Sequence, residues 1–205
     1  MSFRRRDFLK LSSLAVPAAL LPVRHLFAQE AGGAFQELRR NVGAFHGRGG
    51  TIGWLINADG VVVVDSQFPD TAAQCLDGIR DRSDRPLEAL INTHHHGDHT
   101  AGNSAFREAA RKIVAHAQVP VLQRRAAEQA GTEDGQTYAE TTFSESWTLE
   151  VGDEKIRAKH YGPAHTGGDA TIFFENANVV HMGDLVFNRL YPFIDRPSGA
   201  SVQGW

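Results

Sequence analysis

The sequence predicts a layered α/β protein with helices packed outside two sheets. Two observations carry that reading. Short apolar runs rich in Val, Ile and Leu recur along the chain, the early ones joined as a hairpin and the later ones alternating with helical patterns. Apolar residues make up 41% of the chain, with no internal repeat and no low-complexity stretch, so one domain with a sizeable core is expected. The single cysteine, Cys75, excludes an internal disulfide and reads as a core residue on a helix beside Leu76 and Ile79.

The chain opens on Arg4-Arg5-Arg6-Asp7-Phe8-Leu9-Lys10, followed by an apolar run from Leu11 to Val23. A twin arginine, then x-Phe-Leu-Lys, then an apolar stretch resembles a Tat export signal. The run is shorter than the roughly 20 apolar residues of a membrane span, and Pro17 and Pro22 interrupt it. Residues 1–28 are therefore expected to be a signal peptide, cleaved after Ala28 although Leu26 is larger than usual at the minus-three position, and residues 29–205 the mature domain. The expected partner at this end is the Tat machinery, and the expected location periplasmic or secreted. Removing residues 1–28 takes away five basic side chains (Arg4, Arg5, Arg6, Lys10, Arg24) and one acid (Asp7), which leaves 16 basic against 23 acidic groups and a formal charge of −7. That balance argues against a nucleic-acid partner, which would call for a basic face.

In the mature part, Thr51 to Asn57 and Val61 to Asp65 flank Ala58-Asp59-Gly60 and read as a hairpin. Thr71 to Arg82 places Ala72, Cys75, Leu76 and Ile79 on one helical face, with Asp70 or Thr71 as cap. Leu87 to Asn92 is a buried strand, Ala101 to Ala110 a helix, Ile113 to Ala115 a short strand and Val119 to Gln129 a helix. The polar span Ala130 to Ser146 reads as a mobile excursion near the site. Lys155 to His160, Ala170 to Phe174 and Asn178 to Met182 complete the strands.

The strand Leu87 to Asn92 runs into His94-His95-His96-Gly97-Asp98-His99, an H-x-H-x-D-H pattern. Residues two apart on an extended turn point the same way, so His94 and His96 can grip one ion. Asp98 and His99 then face a neighbouring position suited to a second ion, while His95 faces away as packing or support. Two further strand ends present ligand-type residues: His165, in the Gly- and Pro-punctuated loop after His160, and Asp184, after Met182-Gly183. Ligands at three strand ends describe a metal site at one edge of a sheet. Asp65, at the end of Val61 to Val64, reads either as support for that site or as a turn residue. His46, His116 and His160 stand outside the motifs, as do Trp54, Tyr138, Trp147 and Phe187, whose first reading is packing and second a substrate groove.

At these residues the chain resembles the metallo-β-lactamase superfamily. The resemblance rests on Thr93-His94-His95-His96-Gly97-Asp98-His99-Thr100-Ala101-Gly102-Asn103, on Gly162-Pro163-Ala164-His165-Thr166 and on Gly183-Asp184, and runs from about Phe35 to the end of the chain. It implies a four-layer αββα sandwich. It implies that His94, His96 and His165 hold a first zinc, that Asp98 and His99 hold a second, and that Asp184 bridges them; iron or manganese are the alternative metals. A hydroxide shared by the ions would open an ester, thioester, lactone or amide (including a β-lactam) of a small-molecule substrate, with Asp98 orienting the nucleophile and carrying the proton. The alternative is an iron-dependent oxidoreductase resembling persulfide dioxygenases. The sequence departs from the family twice. Asp184 stands where the best-known zinc β-lactamases have a cysteine and is in that respect similar to glyoxalase II; and no histidine follows His181, so the second site is one ligand short and the domain reads as C-terminally incomplete.

Overall fold

The computed structural model describes residues 33–205. The expected signal peptide, residues 1–28, lies outside the described residues. Among the described residues, eleven strands form two sheets. The first sheet has seven strands in sequential order: β1 (Ala34–Arg39), β2 (Val42–His46), β3 (Ile52–Ile56), β4 (Val61–Val64), β5 (Leu87–Asn92), β6 (Ile113–His116) and β7 (Thr141–Phe143). The pairings from β1 to β4 are antiparallel and those from β4 to β7 parallel. The second sheet is antiparallel and contains β8 (Ser146–Val151), β9 (Glu154–Lys159), β10 (Thr171–Phe174) and β11 (Val179–His181).

Period-two alternation sorts β4 between two cores. Val61 and Val63 face α1 (Pro69–Arg80), where Ala72, Cys75, Leu76 and Ile79 are buried. Val62 and Val64 face the second sheet and meet Ile156, Ala158, Ile172 and Phe174. Each such buried aliphatic side chain contributes about 1.5–3 kcal/mol. Three of the four expected layers are thus present among the described residues: helices, mixed sheet, antiparallel sheet. Arg157, Phe173 and Val180, registered across the outer face of the second sheet, have no helix over them among those residues. Nor is any described helix long and apolar enough to cross a membrane.

Several boundaries differ from the sequence reading, for physical reasons. Strands β1 and β2 have no counterpart in that reading; β1 is largely exposed and polar, and its turn uses Arg40 and Asn41, both at positive φ, rather than glycine. Helix α1 begins two residues early because Pro69 is pre-set for the first helical position. The expected helix Ala101 to Ala110 shrinks to a single turn, α3 (Asn103–Phe106), preceded by another single turn, α2 (Gly97–Thr100). Gly102 separates them, and a β-carbon there would collide with the Ser66 carbonyl. Helix α4 (Gln118–Ala130) ends at Gly131 in the left-handed conformation. The span Ala130 to Ser146, read as an excursion, contains β7, and the Thr137 carbonyl within it accepts from Asn103 at 3.0 Å and Gln123 at 3.3 Å.

Candidate metal centre

The parallel strands β4 and β5 end at the same edge, so Asp65 and the His94–His99 segment emerge side by side. Asp65 is fully buried at φ 63°, a left-handed conformation that Asp tolerates better than most residues. That turn aims its carboxylate at the next strand end. Oδ1 accepts from the Thr93 backbone N–H at 2.7 Å; Oδ2 accepts from Thr93 Oγ1 at 2.7 Å and from His99 Nδ1 at 2.7 Å. Asp65 is thus both the turn residue and a brace for Thr93 and His99.

The structure brings His94, His96, His165 and Asp184 together, with one ligand atom from each lying within 4.8 Å of the others. His94 Nε2 and His165 Nε2 stand 3.1 Å and 3.0 Å from His96 Nδ1. The outer nitrogen of each ring has its own acceptor. His165 Nδ1 donates to the Phe193 carbonyl at 2.7 Å, and His96 Nε2 to Asp195 Oδ2 at 2.9 Å. His94 Nδ1 lies 3.1 Å from Thr93 Oγ1, whose own proton goes to Asp65, so this ring also donates outward. Three imidazoles protonated on the outside turn three lone pairs toward one point. Such an array lacks a proton to share and suits a cation.

His99 supplies a second feature of the same kind. With Nδ1 committed to Asp65, its Nε2 is buried with no hydrogen-bond partner, although Asp184 Oδ1 lies at 3.2 Å and Asp98 Oδ2 at 3.6 Å. The pair Asp98–His99 sits on the helical turn α2, not on an extended turn, which is why His99 projects to a different position from His94 and His96. Asp184 also comes within 3.6 Å of His165 Nε2 and so stands between the two groups. Gly183, at φ 50°, lets this backbone approach Thr93; a β-carbon would lie 2.6 Å from Thr93 Oγ1. At Gly50 a β-carbon would lie 2.5 Å from the His99 ring.

Without a metal, electrostatics oppose each other within a few ångströms. Burial disfavours charge on His99, but the carboxylates of Asp65 and Asp184 outweigh it and raise its pKa to about 10. Burial and the neighbouring histidines hold His94 well below the usual imidazole range. Burial pushes the Asp184 pKa up, but attraction from His99, His165 and His96 prevails, and the net direction is down.

The remaining histidines among the described residues are engaged elsewhere. His95 turns away from the centre, as expected; its Nε2 lies 3.2 Å from Ser198 Oγ. His181 is engaged at both nitrogens, Nε2 donating to the Thr51 carbonyl at 2.9 Å and Nδ1 accepting from the Gly183 N–H at 3.2 Å. His116 and His160 stack at 3.9 Å, and His46 Nε2 meets Gln36 at 3.2 Å. Of the aromatic candidates, Trp54 belongs to the helix-side core, Trp147 packs at the margin of the other core and Tyr138 lies under Arg124. Phe187 reaches the centre. With Phe193 and Trp205 it surrounds the His165 ring at centroid distances of 5.8, 6.0 and 5.9 Å. Asp169, missed from the sequence, shapes the His165 loop by accepting from the Ala164 and Thr166 N–H groups at 3.2 and 2.8 Å. Asp195 and the Phe193 carbonyl were also missed; the one hint in the sequence is an acid in the Pro/Gly-containing stretch after Pro192.

Comparison with known proteins gives a consistent picture. The sequence model of the Metallo-beta-lactamase superfamily matches residues 46–204. The chain is similar to the 2,4-dinitroanisole O-demethylase subunit alpha of Nocardioides sp., 31% identical over 62% of this chain and 38% of that one. It is similar to metallo-beta-lactamase IND-1 of Chryseobacterium indologenes, 24% identical over 74% of this chain and 61% of that one. It also resembles a hydroxyacylglutathione hydrolase of Gloeobacter violaceus, 32% identical over 49% and 35% of the two chains. The chain therefore spans between about a third and three fifths of the length of these relatives. Among solved structures, a metallo-beta-lactamase from Pontibacter korlensis superposes with a TM-score of 0.68 at 17% identity, covering 84% of this chain and 81% of that one, which shows a common fold.

Proposed function

Because this chain belongs to the metallo-beta-lactamase superfamily, we propose that its metal centre is that of a zinc-dependent hydrolase acting on an ester, thioester, lactone or amide of a small molecule. The observation that carries the reading is the convergence of His94 Nε2, His96 Nδ1 and His165 Nε2, each ring fixed by an acceptor on its outer nitrogen. These three would hold the first ion. Asp98 and His99 would hold a second, and Asp184, placed between the groups, would touch both. The ions would supply Lewis acidity to a substrate carbonyl and to a water molecule.

The chain's own residues would do the rest. Asp98 has the most exposed side chain of the group, at 37%, and on this reading would face the substrate, take the water's proton and pass it to the leaving group. Asp65 would keep His99 and Thr93 in register, and so fix the outer proton of His94. Phe187, Phe193 and Trp205 would keep bulk water from the His165 side, which strengthens electrostatic interactions inside. Residues 1–28 would deliver the protein through the Tat machinery to the periplasm, and Arg5→Lys with Arg6→Lys would then block export without touching metal binding by the domain.

The test is metal analysis of protein purified without added metal, followed by kcat/KM on a panel of activated esters, thioesters and β-lactams. Zinc in the protein and hydrolysis lost on chelation, then restored by zinc, support the proposal. Iron in its place, with no hydrolysis of any panel member, refutes it in favour of an oxidoreductase.

A further inference from the structure

We propose that Asp195 is a positioning residue of the first metal site, one that locks His96 with Nδ1 inward and ties the segment after Pro192 to that site. The inference rests on the reading of His94, His96 and His165 as metal ligands. His94 and His165 are each 1% exposed, so packing alone restricts their rings. The His96 side chain is 21% exposed and has more room to turn. Its inward nitrogen is Nδ1, whereas His94 and His165 present Nε2. A neutral imidazole offers a lone pair at Nδ1 only when the proton sits on Nε2. The acceptor that holds that proton is Asp195 Oδ2, at 2.9 Å.

Asp195 is itself held in place. Its Oδ1 accepts from the Ser198 N–H at 3.3 Å, its backbone N–H donates to the His165 carbonyl at 3.3 Å, and its carbonyl accepts from Ala200 N–H at 3.1 Å. Two residues earlier, the Phe193 carbonyl holds His165 Nδ1. Phe193-Ile194-Asp195 thus fixes the outer nitrogens of two of the three ligands, from a stretch 28 to 99 residues away in sequence. Ser198 Oγ adds a contact to His95, the neighbour that points away from the ion. Removing the carboxylate frees His96 to rotate or to move its proton to Nδ1, and either change takes a lone pair away from the ion.

The experiment compares Asp195→Ala and Asp195→Asn with the wild-type 205-residue chain. Zinc affinity is read by chelator competition, and the His96 Nε2–H by NMR of the zinc-loaded, ¹⁵N-histidine-labelled protein. Loss of an outer partner of this kind weakens metal binding about 10–100-fold. We expect that loss in Asp195→Ala, with disappearance of the protected Nε2–H signal, and a smaller loss in Asp195→Asn, whose amide oxygen still accepts. Should Asp195→Ala fail to fold, Asp195→Asn carries the test through a weakened Nε2–H signal and an affinity below wild type. Affinity within threefold of wild type and an intact Nε2–H signal in the folded variants would overturn the proposal. So would a third tightly held ion per wild-type chain that Asp195→Ala loses, because Asp195 would then be a ligand. A wild-type chain that takes up no zinc would remove the metal-site reading itself, and this inference with it.

Discussion

Replacing Asp65 by Asn removes one charge from the interior and leaves the backbone comfortable, since Asn accepts a φ of 63° as readily as Asp. The cost follows from three donors that the carboxylate now satisfies, all at 2.7 Å: Thr93 N–H, Thr93 Oγ1–H and His99 Nδ1–H. An amide has one accepting oxygen, so in either orientation its NH₂ group faces at least one of these donors. Leaving a buried donor unpaired costs about 1–3 kcal/mol. Breaking a buried ion pair costs about 3–5 kcal/mol, and in the metal-free protein His99 and Asp65 form such a pair. A destabilisation of about 3 kcal/mol is therefore expected without metal, a large part of the roughly 5–15 kcal/mol that holds a domain together. The assay is urea unfolding of the chelator-treated protein, wild type against Asp65→Asn, with m-values compared to confirm that the same surface is exposed. For a domain of this size the melting temperature should drop by about 6–12 °C. A change below 1 kcal/mol at unchanged m-value would refute the claim that this carboxylate organises the strand ends.

The pH dependence has a definite sign. With a folded pKa of about 10 against an ordinary 6.5, His99 stabilises the metal-free protein fully below about pH 6.5, and that contribution is lost as pH rises through 10. Unfolding free energy of the chelated protein should fall over this window, and the slope should flatten in Asp65→Asn; equal slopes would contradict it. Zinc titration should show the three-histidine position binding more tightly than the Asp98–His99 position; two equally tight ions would require a further ligand at the second position. Gly50→Ala should displace the His99 ring and weaken the second ion while sparing the first, as read by the same titration. In the proposed two-ion centre Asp184 would take the place of a thiolate, so simple activated esters or thioesters should be hydrolysed faster than penicillins or carbapenems; a β-lactam ahead of every ester by tenfold in kcat/KM, about 1.4 kcal/mol, would reverse that ranking.

Much of the centre was legible because its signal is local. His94, His96, Asp98 and His99 fall within six residues after an unmistakable buried strand, and the outward direction of His95 follows from alternation alone. His165 and Asp184 were readable because glycine and proline mark where their strands stop. Asp195 and the Phe193 carbonyl were not, since their partners lie 99 and 28 residues away and no spacing rule connects them. A backbone carbonyl, moreover, leaves no trace in the residue type. The same division holds for the fold. The buried strand Val61–Val64 and the amphipathic face of α1 announce themselves, whereas the break at Gly102 is dictated by the Ser66 carbonyl, a contact made only after the sheet has formed. Strand β1 is too polar to stand out, because only its pairing with β2 makes it a strand.

The order of the strands also constrains how this protein comes into being. The groups of its candidate metal centre are gathered from residues 94 to 184, across two sheets, and one of the sheets is joined by parallel pairings that close only over long loops. Loop-closure entropy makes such contacts late events in folding. A partly made chain ending before Gly162 carries the His94–His99 segment but lacks His165 and the residues that orient its rings. On the proposed reading, metal discrimination would be deferred until the chain has folded. The ion would be chosen by a finished cavity, not by an unfolded run of histidines that accepts whatever cation arrives first.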